Sequence, residues 1–130
     1  MDEDLVYYDE DAQEQLGYME EALLDAQDGT NDPEMVGKIF RAMHTIKGNS
    51  GMFGFDDIVS ITHKAENLLE EVRNSKVEFT KELAQLFIVV KDIVQALVQK
   101  HIHDQEVDSE ILDSINSIEQ RIVSFMPNNQ

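Results

Sequence analysis

The sequence predicts an all-α protein, an antiparallel four-helix bundle with a fifth helix at its C-terminus. Apolar residues recur at intervals of three and four along most of the 130-residue chain, which is the spacing of one buried helix face. Alternating runs bounded by turns, the signal of half-buried strands, are nearly absent. The segments between the helical patterns are short, and short connections make successive helices antiparallel neighbours.

The first helix is predicted from about Tyr8 to Ala26, with acidic side chains around a single apolar stripe. The stripe comprises Ala12, Leu16, Met19, Leu23 and Ala26. Gly29-Thr30-Asn31 is expected to break this helix, because glycine and asparagine favour turns.

The second helix is predicted to begin at Pro33, because Asp32 is a good N-cap and proline suits the first helical position. It is expected to end near Gly51 or Met52, and Phe53-Gly54-Phe55 to form a turn whose rings pack inward. Its apolar face comprises Val36, Ile39, Phe40, Met43 and Ile46. His44 lies about a quarter-turn from the middle of that face at ~100° per residue, so we expect it to be partly covered yet reachable.

The third helix is predicted to open at Asp56 or Asp57 and to end at the polar turn Arg73-Asn74-Ser75-Lys76. Thr80 is expected to cap the fourth helix, which is apolar on more than one face and should contact several neighbours. Their core-facing residues are Ile58, Ile61, Ala65, Leu68, Leu69 and Val72, then Leu83, Leu86, Phe87, Val89, Val90, Ile93, Val94, Leu97 and Val98.

A charged turn is expected from His101 to Asp104, and the fifth helix should start near Asp108 or Ser109. The apolar stripe of the fifth helix comprises Ile111, Ile115, Ile118 and Ile122. We assign residues 1–126 to one domain and residues 127–130 to a linker or disordered tail.

Composition restricts the classes of partner. The chain has 27 acidic and 10 basic residues, a formal net charge of -17, and such a field repels phosphate backbones and anionic lipids. Nucleic acid and membrane surfaces are therefore poor candidates. Cysteine is absent, which excludes disulfide and thiolate chemistry. No signal-peptide pattern and no apolar run of about 20 residues is found, so we expect a cytoplasmic protein.

His44 is the leading candidate for chemistry. Lys47 and Gly48 follow it by three and four residues and lie on the same helical face. Gly48 and Gly51 are unfavourable inside a helix, by ~1 kcal/mol each relative to alanine. Glycines beside a histidine suggest that a large partner must come close to the imidazole. A histidine at the edge of a core also has a purely structural interpretation.

His63 and Glu66 are adjacent on one face of the third helix, where they could form an ordinary surface pair. If the third helix packs beside the second, a carboxylate against one ring nitrogen of His44 would fix the tautomer. The other ring nitrogen would then keep a free lone pair, as a nucleophile requires.

Metal and ATP sites are not indicated. His101-x-His103 with Asp104 lies in a polar turn without an evident fourth ligand. The Glu-x-x-His motifs of a di-iron bundle are also missing. No phosphate-binding loop, nucleophile elbow or kinase motif set is found. The chain has a candidate acceptor and no recognisable catalytic machinery.

A family resemblance rests on Met43-His44-Thr45-Ile46-Lys47-Gly48 followed by Gly51-Met52-Phe53-Gly54-Phe55. This pattern resembles the signature of histidine phosphotransfer (HPt) domains, in particular the N-terminal phosphotransfer domains of CheA-type chemotaxis histidine kinases. The similarity extends over nearly the whole chain. It includes Thr62-His63-Lys64-Ala65-Glu66-Asn67-Leu68-Leu69 and Phe79-Thr80-Lys81-Glu82-Leu83.

The resemblance implies a role for each candidate residue. His44 matches the histidine that accepts the γ-phosphoryl group of ATP from a separate histidine kinase catalytic domain. It then donates the group to an aspartate of a CheY-like or CheB-like response-regulator receiver domain. Glu66 matches the carboxylate that bonds the acceptor imidazole, Lys47 and His63 match residues around the phosphoryl group, and Gly48 matches the small residue that admits the partner. No metal or cofactor is expected in this domain, because ATP and Mg²⁺ belong to the kinase domain.

The resemblance leaves alternatives open. The chain is expected to be a phosphocarrier within a larger histidine kinase rather than an enzyme by itself. It could instead be a stand-alone HPt protein of a multistep phosphorelay, or a helical adaptor that is never phosphorylated.

Overall fold

The computed structural model describes residues 2–26 and 32–127, which form five α-helices and no strand. The helices are α1 (Glu3–Ala26), α2 (Pro33–Met52), α3 (Asp56–Arg73), α4 (Lys81–Ile102) and α5 (Ser109–Phe125). The predicted break at Gly29-Thr30-Asn31 and residues 128–130 of the predicted tail lie outside the described residues. No helix of the described part is long and apolar enough to cross a bilayer.

Helices α1 to α4 form a closed ring in which each packs on two neighbours, and α5 lies against α3 and α4. Contacts between opposite ends show that neighbouring helices are antiparallel. Tyr8 near the start of α1 bonds Ser50 near the end of α2, with 2.7 Å between the hydroxyl oxygens. Asp57 at the start of α3 bonds His101 near the end of α4, with 2.7 Å between Oδ1 and Nε2. The predicted all-α bundle with a fifth helix is confirmed.

Side-chain caps explain most helix starts. The side chains of Asp32, Thr80 and Asp108 accept hydrogen bonds from backbone N–H groups in the first turns of α2, α4 and α5. The prediction for α1 was wrong by five residues, because the Asp2 carboxylate accepts from the backbone N–H of Asp4 at 2.9 Å and starts the helix at Glu3.

The core contains most of the predicted apolar residues, with a few corrections. Val89 and Phe53 are exposed, because they lie on the outer sides of α4 and of the turn after α2. Only Phe55 of the turn is partly buried, although both rings contact Tyr8, with centroids 5.2 and 5.3 Å away. Phe40, Val72, Ile111 and Ile115 are half-buried at the margin of the core.

The predicted charged turn begins later than expected, because α4 continues through His101 to Ile102. The His101 ring lies on the Phe55 ring, with centroids 4.2 Å apart, and bonds Asp57. These contacts to α3 and its preceding turn keep the end of α4 helical.

Gly54 is the residue that allows the α2–α3 turn to reverse direction. Its φ of +73° lies in the left-handed region, which costs an L-residue about 1–2 kcal/mol. We expect Gly54→Ala to lower the free energy of unfolding by about that amount in urea titration. Gly17→Ala is the matched control: a Cβ at this exposed α1 position meets no atom within 4 Å, so alanine should stabilise the helix by up to ~1 kcal/mol. Equal effects of the two substitutions would contradict this account of the turn.

Candidate functional site

The packing of α3 against α2 brings three of the predicted site residues into one cluster. His44 Nδ1 lies 3.3 Å from Glu66 Oε1, and Lys47 Nζ lies 2.8 Å from Glu66 Oε2. His44 and Lys47 are one turn apart on α2, whereas Glu66 comes from the middle of α3. The Phe53-Gly54-Phe55 turn sets the register that makes these residues face each other.

His44 is more exposed than the sequence predicted, with 66% of its side chain accessible. The reason lies in the buried face of α2, which also includes Met35, Ala42 and Ser50, while Phe40 is only half-buried. These residues shift the centre of the buried face away from His44 by part of a turn. The imidazole therefore projects from the outer side of α2 and is open to a partner.

Glu66 is enclosed between the two helices, with 14% of its side chain accessible. Partial burial raises the pKa of the Glu66 carboxyl, but the Lys47 ammonium and the His44 ring outweigh this effect and leave the pKa below its ordinary value. The carboxyl is thus ionised at neutral pH and can only accept hydrogen bonds.

This charge state determines the tautomer of His44. An ionised carboxylate needs a donor at Nδ1, so the neutral His44 ring carries its proton at Nδ1 and keeps the lone pair at Nε2. The second carboxylate oxygen, Oε2, is shut off from solvent and accepts no well-directed hydrogen bond. Its contact with the Lys47 ammonium is therefore chiefly an ion pair.

An aromatic neighbour of His44 was not predicted as part of the site. The Phe40 ring lies one turn before His44 and parallel to it, with an interplanar angle of 5° and centroids 6.4 Å apart. The Arg73 guanidinium stands 4.5 Å from the centre of the Phe40 ring. The apolar periodicity of α2 predicts Phe40 in the core, although its spacing of four residues from His44 indicates that the two rings could meet.

His63 is the predicted site residue that is not bonded to this cluster. It is exposed on α3, and its Nε2 lies 3.4 Å from the side-chain nitrogen of Asn67. His63 thus contributes a second exposed ring one turn from Glu66, but its hydrogen-bond partner is Asn67 and not His44.

The glycines of α2 leave space around the acceptor. A Cβ at Gly48 would meet no atom within 4 Å, and one at Gly51 would make only ordinary contact with Val59 at 3.8 Å. Internal packing therefore requires glycine at neither position.

A metal site is not found in the described ranges, where no group of three or more acidic or histidine side chains is placed to bind a metal ion.

Comparisons with known proteins identify a matching family, similar sequences and a similar structure. The family model of the Hpt domain matches residues 5–100. The chemotaxis protein CheA of Salmonella typhimurium is 39% identical over 103 residues, covering 79% of this chain and 15% of that protein. CheA of Bacillus subtilis is 35% identical over 94 residues, covering 72% of this chain and 14% of that protein.

A solved structure is also similar: the phosphorylated P1 domain of CheA3 in complex with CheY6 from R. sphaeroides. It superposes with a TM-score of 0.85 at 28% identity, covering 97% of this chain and all of that one. These findings confirm the resemblance to the phosphotransfer domains of CheA-type proteins. The chain spans about one seventh of the length of the curated relatives it matches. Because the family model covers well over half of its residues, the chain belongs to the Hpt domain family.

Proposed function

We propose that this domain carries phosphoryl groups in chemotaxis signalling. His44 Nε2 attacks the γ-phosphorus of ATP held with Mg²⁺ on a histidine kinase catalytic domain, and the bond to the ADP oxygen breaks. A receiver-domain aspartate then attacks the same phosphorus, and the N–P electron pair returns to Nε2. The observation that carries this proposal is the exposed His44 ring with Glu66 at Nδ1. Since ATP is a cytoplasmic substrate, we place the reaction in the cytoplasm.

The neighbouring residues suit both transfers. Glu66 accepts a hydrogen bond from Nδ1, which keeps the proton on that nitrogen, and its charge stabilises the cationic ring that forms when Nε2 is phosphorylated. The Lys47 ammonium has three donors and is one turn from His44, so it can contact a phosphoryl oxygen as well as Glu66. Gly48 leaves the in-line approach open. His63, exposed one turn before Glu66 on α3, is proposed as a further contact of the phosphoryl group. The proposed partners are a kinase domain and CheY-like or CheB-like receiver domains. The complex of the similar CheA3 domain with CheY6 supports a receiver domain as a partner.

The first prediction concerns His44 itself. We expect His44→Gln to abolish labelling by radioactive ATP and a CheA-type kinase core. Wild type should gain a label that is stable in base and lost in acid. The substitution should change the free energy of unfolding by less than about 0.5 kcal/mol, because the ring is mostly exposed. Label that persists in His44→Gln would place the acceptor elsewhere. If wild type is labelled only by a phosphorylated receiver domain, the domain acts in a multistep relay.

Glu66 should matter for rate more than for folding. We expect Glu66→Ala to remain folded and to be phosphorylated up to about a hundredfold more slowly, because the ring loses its fixed orientation and tautomer. Initial labelling rates measure the loss, and the ¹⁵N shifts of the His44 ring report the tautomer. A normal rate with an unchanged tautomer would remove Glu66 from the mechanism.

The pH dependence of stability provides an independent check on Glu66. Its pKa is lowered in the folded domain, so its ionisation stabilises the fold above the ordinary value of about 4.3. This contribution is lost as the pH falls through the lowered pKa. The stability difference between wild type and Glu66→Ala should therefore be present at neutral pH and shrink as the pH falls below the ordinary pKa of a glutamate. A difference of constant size would mean that Glu66 acts by packing.

Gly48 should show a conflict between stability and function. We expect Gly48→Ala to raise the free energy of unfolding by up to ~1 kcal/mol, since its Cβ points into open space. The same methyl group should slow labelling by the kinase core, because it stands in the partner's approach. Gly17→Ala, with the same gain in helix propensity, should be labelled at the wild-type rate. Labelling of Gly48→Ala at the wild-type rate would refute the access role.

A further inference from the structure

The exposed side of α2 is basic in a strongly acidic protein. α2 carries three basic residues and one acidic residue, whereas the adjacent α1 carries nine acidic residues and no basic one. Two of the α2 cations, Lys38 and Arg41, are exposed six and three residues before His44. They therefore lie within about 9 Å of its position along the helix axis. We call Lys38 and Arg41 the basic strip.

The charge of the basic strip is not neutralised by the described part of the chain. No described carboxylate lies within 4.0 Å of either cationic group, although Glu21 of α1 lines the same shallow groove. The other cations near the site are paired: Lys47 with Glu66 at 2.8 Å, and Arg73 with Glu70 at 3.5 Å.

Gly37 favours the placement of Arg41. A Cβ at Gly37 would lie 3.1 Å from Arg41 Nη1, so the absence of a side chain lets the guanidinium lie back along the outer surface of α2. Side chains of a helix lean toward its N-terminus, which directs Arg41 away from His44. The basic strip is therefore a surface beside the acceptor rather than a clamp on the phosphoryl group.

We propose that the basic strip docks an acidic surface beside the acceptor aspartate of a receiver domain during phosphoryl transfer from His44. This inference rests on the proposed function. In that step an aspartate carboxylate must approach a phosphoryl dianion on a carrier of net charge -17, so like charges repel at long range. Cations on the carrier beside His44 reduce this repulsion. A receiver domain is the partner favoured here, because the similar P1 domain of CheA3 is in complex with CheY6.

The test compares two double variants that change the net charge equally. Lys38→Glu/Arg41→Glu reverses the basic strip, and Lys81→Glu/Arg121→Glu reverses an exposed lysine and arginine on α4 and α5. Each protein is first phosphorylated by a CheA-type kinase core. Loss of label is then followed with increasing concentrations of the chemotaxis receiver domain that discharges wild type fastest, at ionic strengths from about 0.01 to 0.15 M.

We expect the basic-strip variant to transfer about tenfold more slowly at low ionic strength, with a smaller loss at high ionic strength. The control variant should lose less than twofold, and both should be phosphorylated by the kinase core at similar rates. Equal losses in the two variants would overturn the proposal, because net charge alone would explain them. A loss confined to phosphorylation would assign the basic strip to the kinase domain and also overturn it. If wild type is never labelled or never discharged, the proposed function fails first, and this inference fails with it.

Discussion

The contact between Glu66 and the two α2 residues His44 and Lys47 is the constraint on which the site depends. A carboxylate that is largely enclosed between helices needs compensating partners, and here both partners come from the opposite helix. A change of register between α2 and α3 would move Glu66 about 100° around its helix relative to His44. The short turn at Gly54 and the buried apolar faces of both helices prevent such a change. The packing that stabilises the bundle therefore also fixes the distances between the side chains of the site.

The charge distribution of the domain acts in two ways on a phosphorylated His44. The acidic α1 and the overall charge of -17 raise the free energy of a phosphoryl dianion on the surface, which favours its donation. The basic side of α2 acts locally in the opposite sense, since Lys47 is one turn from His44. The proposed carrier needs both properties, because it would accept a phosphoryl group from ATP and then release it. The arrangement of cations on one helix and anions on its neighbour provides them side by side.

Helix identity and most helix boundaries followed from the sequence, because caps and apolar periodicity are local signals. Asp32, Thr80 and Asp108 lie at predicted helix starts, and their side chains cap α2, α4 and α5. The proximity of His44 to Glu66 followed from the spacing on each helix together with a short connection. The exposure of His44 could not be predicted from its own helix alone, because it depends on how far α1 and α3 rotate the buried face of α2. The pairing of His101 with Asp57 was missed for a similar reason, since it joins helix ends 44 residues apart.

The position of His44 relative to the core is compatible with the two partners proposed for this small domain. His44 projects from the bundle, while the residues on the opposite side of α2, including Ile39, Met43 and Ile46, are almost completely buried. Addition of a phosphoryl group to the exposed ring therefore need not disturb the packing of the four helices. Gly48 costs helix stability yet touches nothing within the domain, so its advantage must be realised outside it. Because the core need not change, each proposed partner would meet the same exposed face of α2. The charges and rings beside His44 would then determine how strongly each partner binds.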